Sequence, residues 1–221
     1  AGALAAGCVE EVLCRPDAVG LVSDLPADVR RTLVDERALA ALSDSVSPAG
    51  VVAVCRFVDV PLERAVTEQS RLVAICADVR DPGNAGTVVR CADAAGADSV
   101  VLAGSSVDLY NPKTLRASVG SAFHLPVAVE PDPFAAVRAA QAAGLAVLAA
   151  DGAGEVDLFE ADELLARPTA WLFGNEAWGL PDDLAAVADH RVAIPIHGKA
   201  ESLNLSTAAA LCLYASARVQ R

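Results

Sequence analysis

From Arg71 to the C-terminus, short apolar runs alternate with alanine-rich stretches of helical period. The runs are Leu72 to Ala77, Ser99 to Ala103, Leu125 to Val129, Leu145 to Ala149, Ala170 to Phe173 and Val192 to Ile196. They are near-continuously apolar, which is the mark of strands buried on both faces. Helical stretches fall at Ala85 to Ala95, Pro112 to Ser118, Pro133 to Ala143, Pro181 to Ala188 and Asn204 to Val219. Such alternation predicts an α/β fold, a parallel sheet with helices on both faces.

The N-terminal part is patterned differently. Ala3 to Ala6 read as the end of a helix, Val9 to Leu13 and Ala18 to Val22 as extended, and Pro26 to Ala41 as two short helical stretches, with a closing strand at Val51 to Phe57. This predicts a small α/β domain. The polar segment VDVPLERAVTEQS, which carries Pro61, reads as a connection, so the expected division is 1–58, a linker 59–70, and 71–221. The chain starts at Ala1 without a methionine or a charged-then-apolar leader pattern, so the first domain is expected to be truncated at its N-terminus.

Composition narrows the class. At 54% hydrophobic residues over 221 positions the chain has ample core, yet charges or prolines interrupt every apolar run before the roughly 20 residues a membrane helix needs. The six cysteines are scattered among apolar neighbours with no CxxC pair, which predicts reduced core thiols in a cytoplasmic protein and no bound metal. With 29 acidic against 17 basic residues the net charge is −12, which argues against binding a polyanion through overall charge.

Three segments carry more polar residues than a plain α/β core needs. In DVRDPGNAGTVVRCADAAGAD, Pro82 and Gly83 form a turn after the first strand, Asn84 is a candidate N-cap and Arg90 lies further along the helix. A capped helix with one exposed arginine accounts for this segment equally well, but its position beyond a strand's carboxyl end is where open α/β sheets bind ligands. In WLFGNEAWGLP a buried strand runs into Gly174, followed by Asn175 and Glu176. A turn explains the glycine and the asparagine better than it explains a carboxylate between tryptophans. In VAIPIHGKAESLNLSTAAALCLYASARV, Pro195 argues against an ordinary central strand, and Ser202 or Asn204 can either cap the following helix or hold polar substrate groups.

Familiar phosphate and nucleophile motifs are missing. The first loop is DPGNAG rather than GxGxxG, no GxxxxGK[ST] occurs, and there is no GxSxG elbow. Dinucleotide-binding, kinase and α/β-hydrolase readings therefore fail.

In this order, the segments resemble the SpoU (TrmH) family of SPOUT-class RNA 2′-O-ribose methyltransferases. Asn84 to Arg90 matches the first family motif, NPKTLRASVGSAFHLPV an intermediate signature, GNEAWGL the second motif and IPIHGKAESLNLSTAAALCLY the third, covering 71–221. Residues 1–58 are similar, more weakly, to the ribosomal-protein-L30-like RNA-binding domain that precedes the catalytic domain in members acting on ribosomal RNA. The resemblance implies a C-terminal deep trefoil knot, S-adenosylmethionine as methyl donor, and a homodimer with the active site at the interface. By residue match it implies a catalytic set of Asn84, Arg90, Glu176, Ser202 and Asn204. It also implies cofactor contacts from Gly174, Ile194, Ile196, Leu203, Ala149 and Gly152, and RNA contacts from Arg116 and Arg90.

The reading is a methyl transfer to a ribose 2′-hydroxyl, most readily in 23S ribosomal RNA, which needs alignment of the hydroxyl and a way to remove its proton. A guanidinium stays protonated in proteins, so polarising the hydroxyl or steering a phosphate suits Arg90 better than acting as a base. A transfer-RNA methyltransferase and a non-catalytic RNA-binding or assembly factor on the same fold are the alternatives. RNA affinity on so acidic a body must come from local arginines such as Arg15, Arg30, Arg31, Arg56, Arg90 and Arg116.

Overall fold

The structure, a computed structural model, describes residues 2–43 and 49–221. The chain divides into two compact units, Ala1–Val58 and Asp59–Arg221.

The first unit is built on a three-stranded sheet of β1 (Val9–Cys14), β2 (Arg30–Leu33) and β3 (Val51–Cys55), in the order β2-β1-β3. β1 pairs parallel with β2 and antiparallel with β3. A short helix α1 (Gly2–Ala5) precedes the sheet, and α2 (Glu36–Leu42) follows β2, its first turn capped by the Asp35 carboxylate accepting from the Ala38 N–H at 2.7 Å. Val9, Val12, Cys14 and Val22 form its small core.

Two local expectations fail here. Ala18 to Val22 belong to a 3₁₀ segment, Pro16–Val22, because Pro16 at its first position fixes φ for a helical turn. Arg30–Leu33, expected within helical stretches, is an edge strand. Its sequence RRTL lacks apolar alternation because the strand is largely exposed, and it is held by side chains, with Arg30 and Thr32 both donating to the Glu11 carboxylate on β1.

The second unit carries the predicted sheet. Its strands are β4 (Leu72–Ala77), β5 (Ser99–Ala103), β6 (Val127–Glu130), β7 (Ala146–Ala150), β8 (Val156–Asp157), β9 (Thr169–Phe173) and β10 (His190–Ala193). They lie in the order β6-β5-β4-β9-β7-β10-β8, and every pairing is parallel. The two-residue β8 is too short to leave a periodic signal. The last strand ends at Ala193, so Pro195 lies beyond the ladder instead of within a strand running to Ile196.

The helices are α3 (Leu62–Ala65), α4 (Pro82–Ala95), α5 (Pro112–Ser118), α6 (Pro133–Ala142), α7 (Asp162–Leu165), α8 (Asp182–Ala186) and α9 (Leu205–Gln220). Alternate residues of β4 show why its sequence is apolar throughout. Leu72, Ala74 and Cys76 pack with Val88 and Val89 of α4 and Leu213 of α9, whereas Val73, Ile75 and Ala77 pack with Val137 of α6 and Leu184 of α8. Burial pushes the Cys76 thiol up to about 12, so it stays protonated and behaves as a small apolar side chain.

Residues 59–70, read from sequence as a linker, group with this unit. The Val60 N–H donates to the Val127 carbonyl at 2.9 Å, and Ala65 and Val66 are buried. At the other end of the chain, Trp171 of β9 donates from Nε1 to the buried Ser216 hydroxyl of α9 at 2.9 Å, fixing the last helix to the centre of the sheet.

Candidate active site

All seven strands point the same way, so their carboxyl ends share one edge, where the loops after β7, β9 and β10 converge on a cavity of about 290 Å³. Ala150 at the end of β7 and Asp151 and Gly152 from the loop after it line one side, Gly174 to Ala177 and Gly179 come from the second loop, and Ile194, Ile196, Glu201, Ser202 and Leu203 from the third. Phe173, Val192, Leu205 and Ala208 complete an apolar floor. The polar groups on this wall are dominated by carboxylates: Asp151, Glu176 and Glu201.

Gly174 is required by close approach. A β-carbon there would sit 2.3–2.5 Å from the backbone of Gly179 and Leu180, which folds back on the strand exit. Asn175 and Gly179 exchange two backbone hydrogen bonds of 2.9 Å, closing a tight turn, and Gly179 adopts φ +71. The Asn175 side chain, itself buried, donates to the Asp78 carbonyl at 2.7 Å and accepts from the Ala177 N–H at 2.8 Å. The turn is thereby fastened to the loop after β4.

Glu176 projects from this turn toward the start of α4. Its carboxylate accepts the Arg80 N–H at 3.2 Å, the Asp81 N–H at 3.0 Å and the Asn84 side-chain amide at 3.3 Å. Asn84 is not the N-cap expected from sequence. That position is held by Asp81, whose carboxylate accepts from the Asn84 N–H at 2.8 Å and pairs with Lys113 at 3.1 Å. The Asn84 backbone hydrogen bond and the Lys113 ammonium hold the Asp81 carboxyl below the usual range. With its backbone settled, Asn84 is free to use its side chain across the site. Its Oδ1 accepts from Asn204 Nδ2 at 3.0 Å, and Asn204 Oδ1 caps α9 through the N–H groups of Ser206 and Thr207. One hydrogen-bonded chain, Glu176–Asn84–Asn204, thus joins all three polar segments.

The remaining site residues divide. Ser202 lies on the cavity wall and is exposed, so the capping choice left open by the sequence falls to Asn204. Gly174, Gly152, Ile194, Ile196 and Leu203 all line the cavity. Ala149 does not: it is buried within β7, and the wall begins one residue later. Arg90, two turns along α4, and Arg116 on α5 are both exposed, away from the cavity wall, and form no ion pair among the described residues. Three of the other arginines are already neutralised, Arg15 by Asp17 and Glu36, Arg30 by Glu11 and Arg56 by Glu10.

Asp151, inside the 149–152 loop expected near the cofactor, and Gly86 gain their roles only in the fold. Burial raises the Asp151 carboxyl, but the Ala153 N–H and the Arg191 guanidinium outweigh it, so the group stays ionised at the cavity edge. Gly86 lets α4 and α5 touch: a β-carbon there would lie 2.3 Å from the Thr114 carbonyl oxygen. The tight spacing of small residues was the only signal for it.

An open parallel sheet with a cavity at its carboxyl edge, walled by apolar side chains and carboxylates, is the arrangement in which doubly wound α/β proteins bind ligands. Within that class, the chain belongs to the SpoU rRNA Methylase family, whose model matches residues 71–214. It is 35% identical over 211 residues to a 23S rRNA (guanosine(2553)-2′-O)-methyltransferase of Bacillus subtilis strain 168, covering 94% of this chain and 80% of that protein. It is also 37% identical to a 23S rRNA (uridine(2479)-2′-O)-methyltransferase of Streptomyces viridochromogenes, spanning 78% of this chain and 61% of that one. Among solved structures, an AdoMet-bound rRNA methyltransferase from Sinorhizobium meliloti superposes with a TM-score of 0.85 at 32% identity, over 98% of this chain and 82% of that one.

Proposed function

We propose that this protein transfers a methyl group from S-adenosylmethionine to a ribose 2′-hydroxyl in 23S ribosomal RNA. The observation that carries the reading is the Glu176–Asn84–Asn204 chain, which ties the three polar segments together beside a cavity of suitable character. The lining fits the donor: Phe173, Ile194, Leu203 and Leu205 offer an apolar bed for a planar base, and Asp151, Glu176 and Glu201 place negative charge around a cation. When bound, S-adenosylmethionine supplies an electrophilic methyl on a positively charged sulfur. The named relatives, which methylate 23S ribosomal RNA at the ribose, favour that RNA over transfer RNA.

The residues then have distinct tasks. Asn84, oriented by Glu176 and Asn204, offers an amide to fix the ribose; Ser202, exposed on the cavity wall, offers a hydroxyl. Arg90 polarises the 2′-hydroxyl or holds the adjacent phosphate, and Arg116 contacts a phosphate further along. Because Arg90 stands away from this chain's cavity wall, we read the working unit as a homodimer in which Arg90 of one copy serves the cavity of the other. Exposed Leu211 and Tyr214 on α9, which packs beside α4, support such an interface. We read the segment from β10 to α9 as the family's trefoil knot, the first unit as an L30-like RNA-binding domain, and the protein as cytoplasmic.

The test is to incubate the protein with labelled S-adenosylmethionine and unmethylated 23S ribosomal RNA. Label incorporated into the RNA supports the reading; cofactor binding with no transfer to that RNA overturns it.

A further inference from the structure

Trp178 is 56% exposed, on the turn that carries Glu176. Among the described residues it belongs to none of the hydrophobic clusters. The turn is rigid: the paired backbone bonds of Asn175 and Gly179 close it, and the Asn175 side chain anchors it to Asp78. Trp178 is therefore fixed in sequence between the cavity-lining residues Ala177 and Gly179, without itself lining the wall. The Arg80 guanidinium lies over it, 5.3 Å from the centroid, and Arg80 forms no ion pair among the described residues. On a chain of net charge −12, this places a cation without an ion pair among the described residues beside a half-exposed indole next to the site.

Unstacked RNA bases are recognised by such pairs, since every base has a π face and an arginine can reach its phosphate. We propose that Trp178, with Arg80 against its ring, is the platform on which an unpaired base neighbouring the methylated ribose stacks, which makes it a positioning residue for the RNA. The inference rests on the functional reading above and adds a residue to it. Stacking holds the strand so that the 2′-hydroxyl reaches the cavity; the ring touches no reacting atom.

The protein has two tryptophans, and Trp171 is 0% exposed, so acrylamide quenching of tryptophan emission reads Trp178. Unmodified 23S ribosomal RNA should protect Trp178 from the quencher. W178A should raise the RNA KM about tenfold, the scale of one lost base stack, with kcat within about twofold and cofactor affinity unchanged, while W178F should recover most of the loss. An unchanged RNA KM in W178A overturns the proposal, as does a parallel loss of cofactor binding. Sedimentation separates the remaining occupant, because dissociation of W178A into smaller species would assign the ring to contact with a second copy and overturn the RNA role. If the unaltered protein transfers no methyl, the functional reading fails. Protection of Trp178 by the RNA would then still uphold stacking, and its absence would overturn it.

Discussion

Asn204 donates from its side-chain amide to Asn84 Oδ1 at 3.0 Å, joining the start of α9 to the first turn of α4 across 120 residues of sequence. Each partner has a second duty. Asn84 donates to Glu176, and Asn204 caps α9. Asn204→Ala should therefore lose both a cap and a cross-link, costing about 1 kcal/mol in urea unfolding. Asn84→Ala leaves the Asp81 cap in place, so its effect should fall on kcat, by about tenfold or more, with a stability loss under ~1 kcal/mol. An unchanged kcat in Asn84→Ala would show that Asn84 only holds the fold.

Arg90→Ala should nearly abolish transfer while cofactor binding, measured by calorimetry, is largely kept, because the side chain is outside the cavity wall. Mixing Arg90→Ala with a cavity variant such as Gly174→Ala should restore part of the activity, since one hybrid site combines an intact cavity with an intact arginine. No restoration on mixing would place Arg90 in the site of its own chain.

The Asp81 carboxyl is lowered by the Asn84 N–H first and Lys113 second. A lowered folded value contributes stability that is complete above the ordinary carboxyl pKa of about 4 and is lost as pH falls through the folded value. Asp81→Asn retains a capping oxygen but not the charge. Its stability deficit should thus be largest near neutrality and shrink toward acid, as compared by urea unfolding at both ends. A deficit independent of pH would contradict the assignment.

Gly174→Ala forces a β-carbon into the backbone of Gly179 and Leu180. The turn must shift, so cofactor affinity should drop at least tenfold while the far-ultraviolet circular dichroism stays that of the unaltered protein. The strands and helices lie outside the turn and should keep their packing. Ser216→Ala is the contrasting case, because it strands the Trp171 indole N–H in the core and should cost about 1–3 kcal/mol without a direct effect on the cavity.

The buried sheet was legible because strands such as Leu72–Ala77 contact helices on both faces and so are apolar at every position. β2 was not, since an exposed edge strand held by Glu11 needs no apolar residues. The polar site residues stood out in the sequence as side chains a core would not use, but their division of labour did not. Asp81, not Asn84, caps α4, because the aspartate precedes Pro82 at the first helical position and Asn84 is then drawn across the site by Glu176 and Asn204. Ala149 and Ala150 are chemically alike, and only the end of β7 decides which one reaches the cavity. The charge pattern likewise changed meaning in three dimensions: Arg15, Arg30 and Arg56 are spent on neighbouring carboxylates, whereas Arg90 and Arg116 remain available.

A ribose oxygen, rather than a base atom, should receive the methyl group. Digesting 23S ribosomal RNA to nucleosides after incubation with this protein and labelled S-adenosylmethionine, then separating the products by mass, tests it most directly. Label should appear in a single 2′-O-methylnucleoside and disappear with Arg90→Ala; label in a base-methylated nucleoside would rule out ribose methylation.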